Sequence, residues 1–154
     1  MVKPIPDGYA SLTPYLVVKG AARAIDFYKR AFGATELFRM DGPNGSVGHA
    51  EIRVGNSVLM LADESPEMGA KSPQSIGGSP VSLMLYVEDV DKVFARAVKE
   101  GATVKRPVAD QFYGDRTGGL VDPFGHSWWV ATHKEDVPPE EMKKRAAAAM
   151  AATA

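Results

Sequence analysis

A chain of 154 residues has room for one ordinary domain or two intimately packed half-domains, and 45% hydrophobic with 24% charged residues describes a soluble globular chain able to bury a core. A formal net charge of −1 and a pI of 6.3 leave no basic surplus for nucleic acid and no acidic surplus for a cationic partner. Zero cysteines exclude disulfides, thiolate nucleophiles and sulfur-ligated zinc. The stretch from Met1 to Gly8 lacks the apolar core of a signal peptide, and no run approaches the roughly 18 apolar residues of a membrane span. The expected setting is the cytoplasm, with neither membrane nor nucleic acid as partner.

Along the chain, strands are expected at 12–18, 35–41, 47–54 and 57–62, then at 81–87, 103–108, 116–121 and 127–132. The first helix follows Leu16-Val17-Val18-Lys19, with Ala24, Ile25, Phe27, Tyr28, Ala31 and Phe32 spaced for one face and Gly33 as its stop. The second follows Leu85-Tyr86-Val87-Glu88, with Val90, Val93, Phe94, Ala97 and Val98 on one face, and stops at Gly101. The same tripeptide ends both helices, Gly33-Ala34-Thr35 and Gly101-Ala102-Thr103, so the chain reads as a repeat. Each half closes on a hairpin, at Val54-Gly55-Asn56-Ser57 and at Asp122-Pro123-Phe124-Gly125-His126. The fold class is therefore α+β, two tandem βαβββ modules. Half 1 covers about 10–63, a Pro-, Gly- and Ser-rich crossover or lid 64–80, and half 2 about 81–134; together they make a domain of 1–134. A tail of 135–154 starts with acids in a helical first turn, Pro138-Pro139-Glu140-Glu141, and frays in alanines.

The motifs Ala24-Ile25-Asp26-Phe27-Tyr28, Phe32-Gly33-Ala34 and Asp122-Pro123-Phe124-Gly125, in this order within a duplicated βαβββ unit, resemble the glyoxalase/bleomycin-resistance superfamily, also called vicinal oxygen chelate, over residues 10–133. Gly114-Asp115-Arg116 and the run Trp128 to His133 look most like its PhnB-like branch. The resemblance implies that each half curls its sheet around a cleft and that paired halves form a cup, commonly in a homodimer.

One face of each strand should then pack on the helices and the other line the cup. Pro14, Leu16 and Val18 fit the helix side of the first strand, leaving Thr13, Tyr15 and Val17 for the cup. Ala50, Ile52 and Val54 oppose His49, Glu51 and Arg53; Leu83, Leu85 and Val87 oppose Ser82, Met84 and Tyr86; and Ser127, Trp129 and Ala131 share one face of the last strand.

The resemblance also implies four points where metal-dependent members place their ligands. Thr13 and Ser82 stand where a histidine is usual, Met60 (to within one residue) and Trp129 where carboxylates are. None of the four suits a divalent cation, so no metal and no cofactor is expected. His49-x-Glu51 is the exception to weigh: a polar surface pair, two members of a displaced metal site, or groups that orient a ligand together with Arg53 and transfer protons. Arg116 is either an anion holder at the cup rim, with Asp115 orienting it, or half of a structural ion pair. Tyr15, Met84, Tyr86 and Trp129 are candidate stacking walls for a planar ligand or, equally, core. No phosphate loop or activated serine appears. Two functions follow. One is a metal-free binder of a small planar organic compound, contacting Thr13, Tyr15, His49, Glu51, Arg53, Ser82, Met84, Tyr86, Arg116 and Trp129. The other is a lyase, isomerase or dioxygenase-like enzyme in which His49 and Glu51 are acid–base groups or part of an unorthodox metal site.

Overall fold

In the computed structural model, which describes residues 1–154, the chain runs β1 (Tyr15–Val18), α1 (Ala21–Phe32), β2 (Thr35–Asp41), β3 (Val47–Val54) and β4 (Ser57–Asp63). After a crossover holding the short α2 (Pro73–Ile76) the order repeats as β5 (Ser82–Tyr86), α3 (Val90–Lys99), β6 (Thr103–Asp110), β7 (Asp115–Val121) and β8 (Ser127–His133); α4 (Pro139–Ala152) closes the chain. The two sheets have the same topology, β1-β4-β3-β2 and β5-β8-β7-β6, each with one parallel pair at its first strand and antiparallel pairs elsewhere. This is the duplicated βαβββ fold that the sequence pattern predicts.

Local chemistry is repeated as well. Gly33 takes the left-handed conformation (φ 69°) and the Ala34 amide donates back to the Tyr28 carbonyl; at the end of α3 the Ala102 amide donates back to Ala97. The helix starts are tied to the last strand of their own module. The Asp63 carboxylate accepts from the amides of Gly20 and Ala21, while the Thr132 hydroxyl accepts from the Val90 amide.

Helices α1 and α3 pack on each other between the sheets, and one cluster of 24 buried residues runs from Leu16 to Val130, so the halves share a single core. Polar bonds stitch the halves together. The buried Asp122 carboxylate accepts from Tyr28 Oη (2.5 Å), Trp128 Nε1 (2.9 Å) and the amides of Phe124 (2.9 Å) and His126 (3.0 Å). Burial, with Asp122 alongside, pushes the Tyr28 hydroxyl well above the ordinary phenol range. His126 Nε2 donates to the Val17 carbonyl on the edge of β1 (2.9 Å), and Arg96 Nε to Ala31 (3.1 Å). The Asp-Pro-Phe-Gly-His turn is thus the clasp between modules.

The crossover is more ordered than its composition predicts. Glu64 accepts from the Ser72 amide and the Ser75 hydroxyl, which draws Ser72 into the interior and caps α2, and these bonds hold the Glu64 carboxyl down at about 2. In the tail, α4 buries no residue; Arg145 fastens it to the Glu135 carboxylate and the Phe112 carbonyl. No helix is long and apolar enough to cross a membrane.

Candidate functional site: two open sheet faces

Because α1 and α3 meet in the middle, the second face of each sheet points away from the shared core. The alternation in burial is clear on β1 and β3, where Leu16, Val18, Ala50, Ile52 and Val54 are buried while Tyr15, His49, Glu51 and Arg53 are not. On β5, Leu83 and Leu85 lean on the core, and Met84 and Tyr86 are 48% and 58% exposed.

The first face carries a hydrogen-bonded row. Tyr9, on an N-terminal arm that folds back over the sheet, donates its hydroxyl to Glu51; His49 Nε2 lies 3.1 Å from Glu51 Oε1, and Tyr15 Oη lies 2.8 Å from His49 Nδ1. An ionised Glu51 only accepts, so His49 donates from Nε2 and its Nδ1 accepts the Tyr15 hydroxyl. The Tyr9 hydroxyl, followed by His49, lowers the Glu51 pKa, and the same bond raises that of Tyr9; burial raises that of Tyr15. Arg53 Nη1 reaches only the Gly8 carbonyl of the arm (3.5 Å). Thr13 and Met60 meet beside Glu51 around a cavity of about 390 Å³ whose other wall is the arm.

The second face is built otherwise. Trp129 pairs with Met84 on one side and Gly119 on the other, and its indole lies on Gly119: a Cβ there would stand 2.9 Å from the ring. The Arg106 guanidinium sits 5.8 Å from the ring centroid. One end of the face holds Asp115, buried, which accepts from Tyr86 Oη (2.8 Å) and His133 Nδ1 (2.6 Å); His133 Nε2 continues to Asp136 (2.8 Å). With a carboxylate on each nitrogen both N–H groups donate, and Asp136, then Asp115, raises the His133 pKa. Thr117 lies between these two groups, 2% exposed, with no partner for its hydroxyl. Ser82 and Trp129 share a cavity of about 210 Å³, and Met84 and Tyr86 border a mostly apolar one of about 510 Å³ between β5 and the 54–59 hairpin.

The ten sequence-derived contact residues therefore divide. Thr13, Tyr15, His49, Glu51 and Arg53 gather on the first sheet, and Ser82, Met84, Tyr86 and Trp129 on the second; no hydrogen bond, ion pair or ring contact joins one set to the other. Arg116 belongs to neither. It projects on the helix side, held by Asp91 of α3 (2.8 and 2.9 Å) and by Asp110 (3.3 Å), while its neighbour Asp115 turns to Tyr86 and His133. Tyr9, Lys105, Arg106, Thr117 and His133 are additions from the structure; of these, only His133 carried a sequence signal, as a histidine directly after the last strand.

The geometry also tests the metal site that this fold implies. It brings Thr13 to Met60 and Ser82 to Trp129, two pairs with no charged oxygen or imidazole donor among them. No group of three His, Asp or Glu side chains is disposed to hold a metal ion, and Glu51 is already engaged by Tyr9 and His49. These residues do not fit a divalent ion.

Paired βαβββ modules with open sheet faces define a class of small α+β proteins. Residues 9–130 match the family model of the Glyoxalase/Bleomycin resistance protein/Dioxygenase superfamily, and the chain belongs to that superfamily. It is 47% identical over 136 residues to the protein Rv0887c of Mycobacterium tuberculosis (strain H37Rv), spanning 86% of this chain and 80% of that one. Among solved structures it is similar to TioX from Micromonospora sp. ML1 (27% identity, TM-score 0.63, covering 80% of this chain and 98% of that one). It is equally similar to the At5g48480 gene product of Arabidopsis thaliana (28% identity, TM-score 0.62, covering 80% and 98%).

Proposed function

We propose that this protein binds a small planar organic compound without a divalent metal, and that two copies pair so that the open faces wall a common cup. The observation that carries the reading is the replacement of both ligand-equivalent pairs: Thr13 with Met60, and Ser82 with Trp129, offer hydroxyl, thioether and indole surfaces suited to packing and stacking rather than to charge on a metal. Pairing is supported by the apolar and aromatic surface that single copies leave in water on these strands, with Tyr15, Phe38, Met40, Met84 and Tyr86 each about half exposed. Protein purified without chelator should contain far less than one metal per subunit by elemental mass spectrometry and run as a dimer in light scattering. One metal per subunit, lost together with an activity on chelation, overturns the reading.

The row Tyr15–His49–Glu51–Tyr9 favours a second reading, an acid–base enzyme, because it leaves an imidazole between a phenol and a carboxylate, poised to pass a proton. His49→Gln and Glu51→Gln, made separately, distinguish the two. An enzyme loses turnover at least a hundredfold with its fold intact, whereas a binder loses affinity at most.

A further inference from the structure

We infer that the second sheet face takes a planar aromatic carboxylate, with its ring on Trp129 and its anion between Lys105 and Arg106. This rests on the planar-compound reading above and narrows it to one sheet and one charge class. Three features converge.

The first is a prepared stacking surface. Gly119 is the residue under the indole, and any side chain there would push the ring from the sheet, so the Trp129 ring is seated against β7 and only partly buried. The second is a local break in the ladder. The register of β6 on β7 pairs Val104 with Leu120 and Arg106 with Gly119 and skips Lys105, so a bulge places two consecutive cations opposite the glycine. Lys105 lines the 210 Å³ cavity with Trp129, Ser82 and Ser127, and the Arg106 guanidinium lies over the Trp129 ring, 5.8 Å from its centroid. The third is charge. Neither cation has a carboxylate within 4 Å; Asp110, the one acid of β6, is held by Arg116, and Asp115, farther along the same face, is saturated by Tyr86 and His133. Two unpaired cations beside an aromatic platform and two serine hydroxyls complement an anion attached to a flat ring. A neutral ring would use the platform and leave the cations unused.

Calorimetric titration of the full chain with 2-naphthoate and with its uncharged carboxamide tests this. The acid should bind at least tenfold more tightly than the amide. In the double variant Lys105→Gln/Arg106→Gln that preference should shrink to within twofold, and Trp129→Leu should weaken both compounds. Equal affinity for acid and amide in the unmodified protein overturns the charge assignment and leaves the planar-compound reading standing. A preference that survives the double variant overturns the placement at Lys105 and Arg106. Binding of neither compound overturns the inference and leaves the broader reading to the metal and light-scattering measurements given for it.

Discussion

Set rung against rung, the two modules share a scaffold and differ in what it displays. The central rung of the first open face is Tyr15–Met60–Glu51; the matching rung of the second is Met84–Trp129–Gly119. Two residues before the last member of each stands His49 in one half and Thr117 in the other. The first face is a polar row locked by its own hydrogen bonds and roofed by an N-terminal arm, while the second is an indole seated on a glycine with the Arg106 guanidinium over it. The back of each sheet has little freedom, because its helix must end, turn and return onto the same core. The front has none of those duties. Duplicating a fold therefore fixes the positions available to a site without fixing its chemistry.

The largest expected effect comes from breaking the clasp that only the second half possesses. Asp122 satisfies four donors in the interior, whereas the corresponding hairpin of the first half is a plain Gly-Asn turn. Asp122→Ala strands the Tyr28 hydroxyl, the Trp128 indole N–H and two turn amides, each worth about 1–3 kcal/mol when buried unpaired. Even with partial relaxation a loss of at least about 3 kcal/mol in urea unfolding is expected. Asn56→Ala, its counterpart, should cost less than about 0.5 kcal/mol, as for a surface change. Equal effects would mean that the halves are clasped elsewhere.

How much of this was legible in the sequence follows from the same division. The repeat was legible because Gly33-Ala34-Thr35 and Gly101-Ala102-Thr103 punctuate helices of matched periodicity, and the outward set on β3 because strict alternation separates His49, Glu51 and Arg53 from Ala50, Ile52 and Val54. Parity failed where the ladder slips: the bulge at Lys105 moves two cations to one face, which no two-residue period indicates. Arg116 depended on facing as well. Beginning β7 at Asp115 sends that residue to the open side and its neighbour to α3, so the motif Gly114-Asp115-Arg116 splits between the two sides of the sheet. The Tyr9 contact joins positions 42 residues apart through an aperiodic arm, and the order in the crossover depends on Glu64 closing onto Ser72 and Ser75. Such contacts are set by tertiary placement, which local patterning does not encode.

A smaller effect sharpens the contrast between His49 and Thr117. His49 is doubly bonded in its row, while the Thr117 hydroxyl is sealed without a partner, a cost of about 1–3 kcal/mol to the folded state. Thr117→Val keeps the shape, removes the stranded hydroxyl and should raise stability by about 1 kcal/mol, measured by thermal unfolding. A loss of stability would show that the hydroxyl has a partner in solution.

The smallest effect concerns the rim of the second face, where His133 links Asp115 of β7 to Asp136 at the start of the tail. Its pKa is raised in the folded state by bonds to both carboxylates, so the stabilising charge is fully present below the unfolded value of about 6.5 and disappears as pH rises through the folded value. His133 is half exposed and Asp136 fully so, and water and salt screen the pair; the consequence for global stability is therefore small and the titration itself is the better readout. Proton NMR should show the His133 imidazole titrating above 6.5, with Asp136→Asn lowering its midpoint and Tyr86→Phe, which frees one oxygen of Asp115 for the imidazole, not doing so. If Asp136→Asn leaves the midpoint unmoved, Asp115 alone holds the imidazolium. The charge at the rim then belongs to the sheet and is independent of the tail.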